Sequence, residues 1–185
     1  MNKNHILRFA SGTIKGAMVL LLVAFAATIG IWIHWYLNSS FYDAVYLENG
    51  FKAGLNTFTL ILSKSNLTNI SLGSLSTFNM SWLIFRSLIL MVIGLYALRL
   101  LLHIIKSIKD LETFYEQNVY SFNKLVQLGV IATAIAFFNF EVLDNRTNWH
   151  FTIPFEPLFA TVTCLVLREV FKEGMRLQED SKSIV

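Results

Sequence analysis

Four stretches of the sequence are apolar and long enough to cross a lipid bilayer, and they constrain the fold more than any other feature. They cover residues 16–37, 81–105, 125–143 and 153–171. A transmembrane helix needs about 20 mostly apolar residues, and a backbone in lipid must satisfy its own hydrogen bonds. Only 15% of the residues are charged, against about 25% in a typical soluble domain. We therefore predict an all-α integral membrane four-helix bundle that forms a single domain over residues 1–185.

The four predicted spans differ in the length of their uncharged runs. The first contains no charged residue, whereas the fourth is uncharged only from Pro157 to Leu167 before Arg168 and Glu169 follow. The segments between the spans are an outer loop of roughly 40 residues at 38–80 and a connection at 106–124. A tail follows at 172–185. The outer loop has two interpretations, a cap over the helix ends or a surface for a ligand or partner.

The distribution of lysine and arginine predicts the orientation. Eleven of the fifteen lie in the N-terminal segment, around the connection 106–124 and in the tail, and four lie on the other side of the predicted spans. Positive charge accumulates on the cytoplasmic side of membrane proteins. We therefore expect both termini in the cytoplasm. We interpret the excess of basic over acidic residues as a sign of membrane orientation rather than of direct binding to nucleic acid.

Small residues recur on one face of several predicted spans. Examples are Gly94 with Ala97 in the second span and Gly129 with Ala132 in the third. Helices in lipid approach closely where small residues meet. This pattern predicts tight helix packing.

Four ionisable residues fall at or near the outer ends of the spans. They are His34, Arg86, Glu141 and Glu156. Because a charge facing lipid is costly, such groups tend to face inward and pair. We expect Arg86 to pair with Glu156, either as a structural ion pair or as part of a proton or ion path.

The sequence carries no recognisable catalytic motif. It has no HExxH, GxSxG or phosphate-binding loop, and its four histidines lack the spacing of metal ligands. Cys164 is the single cysteine, so no internal disulfide can form. We expect no catalytic residue, no metal and no cofactor, and hence a protein that is not an enzyme.

Two cytoplasmic segments carry a family resemblance. The connection contributes the run 116–119, preceded by Phe114 and followed by Phe122 and Leu125. The end of the fourth span and the tail contribute Phe171, Lys172, Gly174, Met175, Leu177, Glu179 and Asp180. These residues resemble the bacterial four-span membrane family called domain of unknown function 2975. The chain departs from the family in its last five residues, which end in Ile184 and Val185, and in a longer outer loop.

The resemblance implies a multi-pass protein of the bacterial cytoplasmic (inner) membrane with no established activity. Members are often encoded beside a small helix-turn-helix DNA-binding protein, which implies a membrane sensor or anchor whose tail docks that regulator. The same tail residues also fit a solvated helix end with internal charge pairs. Two other functions stay open, a small transporter and an accessory subunit of a membrane complex, both using Arg86 and Glu156. Whether the chain forms homo- or hetero-oligomers stays open too.

Overall fold

Four long helices make up most of the fold. The computed structural model describes residues 3–43, 46–47, 70–71, 73, 75–109, 116–143, 146–151 and 153–183. The helices are α1 (Lys3–Leu37), α2 (Thr77–Lys109), α3 (Glu116–Phe137) and α4 (Phe155–Ser183). The prediction of an all-α class is confirmed for these long elements. A short 3-10 helix (Ser39–Tyr42) and two small hairpins, which were not predicted, complete the described part.

Three of the four helices are long and apolar enough to cross a membrane. They are α1, of which residues 5–37 qualify, together with α2 and α3. The chain is therefore a membrane protein with three candidate spans in its described part, where the sequence predicted four. Helix α4 differs because its uncharged run from Pro157 to Leu167 is bounded closely by Glu156 and Arg168, so any longer window collects several charges.

The helices extend beyond the predicted spans because apolarity marks a membrane crossing rather than the limits of a helix. Helix α1 begins 13 residues before position 16, and α4 continues through the predicted tail to Ser183. The prediction was wrong at the end of the third span. Helix α3 begins at Glu116, inside the predicted connection, and stops at Phe137 rather than at residue 143.

A β-hairpin replaces the end of the predicted third span. Strands β3 (Phe138–Leu143) and β4 (Arg146–Phe151) pair antiparallel, with Phe138 opposite Phe151 and Leu143 opposite Arg146. The first five residues of β3 alternate apolar and polar, Phe-Asn-Phe-Glu-Val, which is the period of a strand rather than of a helix. A second, minimal hairpin pairs β1 (Tyr46–Leu47) with β2 (Ile70–Ser71) inside the predicted outer loop. The rest of that loop between residues 48 and 69 lies outside the described residues.

The chain divides into two compact units. The first unit contains Met1–Leu22, Val92–Ala132 and Pro157–Val185, and the second contains Val23–Met91 and Thr133–Glu156.

In the first unit, the apolar core lies where α2, α3 and α4 meet. Ile104, Phe122 and Leu125 are buried there, and Phe171 packs against them. Three contacts show that α3 and α4 run antiparallel: Phe122 with Phe171, Asn123 with Arg168, and Gly129 with Thr161.

Glycines mark two close helix contacts in the first unit, as the small-residue pattern predicted. A Cβ atom at Gly129 would overlap the Thr161 hydroxyl, and one at Gly94 would lie 3.2 Å from Leu21 Cδ2. The Thr161 hydroxyl donates to the Pro157 carbonyl at 2.6 Å, so it occupies the groove that Gly129 leaves open.

In the second unit, the core consists of Trp35, Met80 and Ile84, with Tyr42 among the residues packed on it. Helix α2 begins here with a side-chain cap. The backbone N–H of Asn79 donates to the Ser76 hydroxyl at 3.3 Å, which satisfies one of the N–H groups that a helix start leaves unpaired.

Candidate functional site

Arg86 is a buried cation of the second unit, and it binds the end of a neighbouring helix. Its side chain lies in α2 and the residue is 7% exposed. Its Nη2 donates to the backbone carbonyl of Ala136 at 3.2 Å. Ala136 belongs to the last turn of α3, where carbonyl groups lack intrahelical partners and the helix dipole favours a positive charge. Arg86 therefore stabilises the C-terminus of α3.

The structure does not bring Glu156 to Arg86. Glu156 is exposed and lies in the first turn of α4, where a carboxylate is favourable because of the positive end of the helix dipole. Among the described residues, the ion pairs do not include one between Arg86 and Glu156. The expected pairing is therefore not observed. Glu141 lies in β3 opposite Asn148, and its side chain is not among those that the structure describes.

His34 belongs to an aromatic group rather than to a charged cluster. Its Nδ1 lies 2.9 Å from the Tyr42 hydroxyl oxygen, at hydrogen-bonding distance. The His34 ring also makes edge contacts with Phe41 at 5.3 Å and with Tyr42 at 5.5 Å between centroids. These contacts attach the 3-10 helix to the end of α1, which is a structural role.

The tail residues of the family resemblance divide into a packed set and an exposed set. Phe171 packs against Phe122 with ring centroids 4.9 Å apart, and Gly174 and Met175 are half-buried. The remaining docking candidates are exposed. They are Lys172, Leu177, Glu179 and Asp180.

Three of the connection residues of the resemblance are buried in the first unit. Asn118 is fully buried, and its Nδ2 donates to the Ser107 hydroxyl of α2 at 2.8 Å. Phe122 and Leu125 follow it at helical spacing into the core of the first unit. Asn118, Phe122 and Leu125 share one helix face by their i, i+4, i+7 spacing, a signal that the sequence already carried.

A polar group on the other side of α3 was missed by the sequence analysis. Arg168 of α4 donates from Nη1 to Asn123 Oδ1 at 3.2 Å, and from Nε and Nη2 to Glu169 Oε1 at 3.0 and 2.5 Å. Lys124 lies over the Tyr120 ring, with Nζ 5.4 Å from its centroid. The i, i+4 spacing of Tyr120 and Lys124 is enough to predict that they lie side by side. The contact between Arg168 and α3 is visible only in the structure.

These arrangements hold helices together and position charge. In the part of the chain that the structure describes, no group of three or more His, Cys, Asp and Glu side chains is placed to hold a metal ion.

Comparison with known proteins identifies the family. No curated protein and no solved structure matches the chain. The family model described as "Protein of unknown function (DUF2975)" matches residues 14–185. That match covers α2, α3 and α4 completely and most of α1. The chain therefore belongs to the DUF2975 family.

Proposed function

We propose that this protein is a non-enzymatic, four-span anchor of the bacterial inner membrane, with both termini in the cytoplasm. Its helical tail binds a small cytoplasmic helix-turn-helix regulator. The observation that carries the proposal is the course of α4, which runs as one helix from an apolar segment into an exposed, charged one.

The packing of α4 on α3 supports the fourth span. The uncharged run of α3 begins after Lys124, and the uncharged run of α4 ends before Arg168. Because Arg168 contacts Asn123, these two charge boundaries lie at the same level. Gly129 and Thr161 meet further along both runs, so the apolar part of α4 lies beside that of a candidate span.

The surface of α4 supports the same conclusion. Exposed apolar side chains follow one another along the helix from Phe155 to Val170, which is about 22 Å at 1.5 Å per residue. Five of them are Leu158, Phe159, Val162, Leu165 and Val166. Lipid is the solvent that favours such a surface. The shortfall from a bilayer core of about 30 Å is of a size that local thinning and the reach of Arg168 can absorb.

The tail offers an accessible surface. Glu173, Arg176, Leu177 and Asp180 share one face by their i, i+3, i+4, i+7 spacing, and all four are exposed. Leu177 is 61% exposed. Glu173 and Arg176 approach to 3.8 Å with both side chains in solvent, and such a pair contributes little to stability. A partner can therefore use these charges around a central apolar anchor.

The nature of the partner comes from the family resemblance. Members are often encoded beside a small helix-turn-helix protein, and a regulator of that kind needs a surface on the cytoplasmic side. The transport alternative has less support, because Arg86 donates to the end of α3 and Glu156 is exposed.

Binding of the full-length protein to the helix-turn-helix protein encoded beside it tests the proposal. The protein is reconstituted in lipid nanodiscs, and the dissociation constant is measured by interferometry. We expect binding by the unmodified chain and a loss of at least tenfold for Leu177→Glu, because the change places a charge at the apolar anchor.

Gln178→Glu is the matched control, since it adds the same charge at the next exposed position, about 100° around the helix. It should change the dissociation constant by less than about threefold. Equal affinity of the Leu177→Glu variant and the unmodified chain would contradict docking through this face of the tail.

A further inference from the structure

We propose that the first unit carries a binding site for the headgroup of an anionic phospholipid. The site, called here the headgroup patch, consists of residues from two helices. They are Tyr120, Asn123, Lys124 and Gln127 of α3 and Arg168 of α4. This inference is independent of the tail and of its partner.

The four α3 residues of the headgroup patch face outward together. Their spacing of i, i+3, i+4 and i+7 places them on one face of a helix. Tyr120 is 58% exposed, Gln127 is exposed, and Asn123 and Lys124 are half-buried. The buried face of α3, which carries Phe122, points elsewhere, so ligands in the surrounding solvent or lipid can reach the patch.

Two cations of the headgroup patch are held in place by neighbours. Lys124 Nζ lies over the Tyr120 ring, and Arg168 reaches Asn123 from α4. Glu169 also binds Arg168 and offsets one positive charge, but Lys124 leaves the group net positive. Preorganised cations with nearby amide and hydroxyl groups suit a phosphate ester, because Arg and Lys bind its oxygens and the neutral groups add hydrogen bonds.

The surroundings of the patch select a lipid over a soluble anion. About one turn further along the same face of α3, the exposed side chains become Val130 and Ile131. On α4, Leu165 and Val166 are exposed just beyond Arg168. A surface that changes from cationic to apolar within one turn matches the border between headgroup and acyl chain. Basic surfaces at this border attract anionic lipids.

Lipid titration of the full-length protein tests the headgroup patch. Detergent-purified protein is titrated with phosphatidylglycerol or phosphatidylcholine of the same acyl chains, and bound lipid is counted by native mass spectrometry. We expect tighter binding of phosphatidylglycerol. Lys124→Gln and Arg168→Gln should each weaken it about fivefold, as expected for the loss of one basic residue near an anionic surface, and should leave phosphatidylcholine binding unchanged.

Matched variants separate a defined site from diffuse attraction. Lys109→Gln removes an exposed charge from the last turn of α2 and should change phosphatidylglycerol binding less than twofold. Arg168→Lys keeps the charge and should stay within about threefold of the unmodified chain even if Arg168→Gln loses stability. Leu177→Glu, which tests the tail, should bind both lipids normally.

Several results would overturn the inference. Equal binding of the two lipids would do so, as would unchanged phosphatidylglycerol binding after both Lys124→Gln and Arg168→Gln. A loss for Lys109→Gln as large as that for Lys124→Gln would indicate attraction spread over the surface. Displacement of the lipid by an equal concentration of glycerol 3-phosphate would indicate a soluble anion as the ligand.

Discussion

Arg86 lies in an apolar helix, and its observed contact differs from the ion pair with Glu156 that we expected from the sequence. Charge placement near the outer ends of the spans indicated an acidic partner for Arg86, and we expected Glu156 rather than Glu141. In the structure, Arg86 donates to the backbone carbonyl of Ala136 at the end of α3. The end of a helix carries a partial negative charge from its backbone carbonyl groups. A search for ion pairs among side chains does not consider this charge. The end of α3 could not be placed at Phe137 without recognising the hairpin that follows.

Replacing Arg86 should destabilise the protein much more than replacing a second arginine of the same helix. We expect Arg86→Ala to lower the free energy of unfolding by about 1.5–3 kcal/mol, the usual range for a buried hydrogen bond to a charged group. Arg99 is exposed, so Arg99→Ala should change it by less than about 0.5 kcal/mol. Unfolding by a denaturing detergent in mixed micelles measures both values.

The same measurement separates the observed contact from the expected ion pair. Glu156→Gln should change stability by less than about 0.5 kcal/mol, because the side chain is exposed. In the double variant with Arg86→Ala the two effects should add. A coupling energy above about 1 kcal/mol would show that Arg86 and Glu156 interact after all.

At the scale of helices and strands, α3 and α4 show which features the sequence pattern predicts and which it misses. Runs of apolar residues located the long helices, and the small-residue pattern anticipated the contact at Gly129. The opposing residue on α4 is Thr161, which the small-residue pattern did not identify. The β3–β4 hairpin was missed although its signal was present, because residues 138–143 are apolar enough to extend a helix in a hydropathy window. Their alternation and the two residues Asp144 and Asn145 between the strands favour a hairpin.

Adding a methyl group at Gly129 should force α3 and α4 apart. The new Cβ would overlap the Thr161 hydroxyl, and overpacking of this kind costs about 1–3 kcal/mol. We expect Gly129→Ala to lower the unfolding midpoint in detergent, and Thr161→Ala to restore part of the loss in the double variant.

Gly30→Ala is the matched control for Gly129→Ala, because nothing lies within 4 Å of a Cβ at Gly30. Its midpoint should stay the same or rise, since alanine favours a helix over glycine. If Gly129→Ala were as stable as Gly30→Ala, the close contact between the two helices would be wrong.

At the scale of the whole molecule, several residues that carry the family resemblance also form the helix packing. The connection and the tail are separated by some 50 residues in sequence, yet Phe122 and Phe171 pack together in one core. The sequence located both segments through their resemblance to the family. It could not show that Asn118, Phe122, Leu125 and Phe171 are internal, because burial depends on which helices become neighbours. The exposed remainder of the tail is accessible to solvent, and the proposed docking surface consists of these residues.

The central claim is that α4 crosses the membrane and returns the tail to the side of the N-terminus. Cysteine accessibility tests it directly, since Cys164 is the only cysteine and Cys164→Ser provides a background without thiols. Ser40→Cys, in the 3-10 helix, and Ser181→Cys, in the tail, introduce single thiols at exposed positions. Each variant is treated with a membrane-impermeant maleimide in intact spheroplasts and after permeabilisation.

We expect Ser40→Cys to react in intact spheroplasts and Ser181→Cys to react only after permeabilisation. That result places the tail in the cytoplasm on the far side of four spans. Labelling of Ser181→Cys in intact spheroplasts, together with Ser40→Cys, would show that only three helices cross the membrane and would contradict the claim.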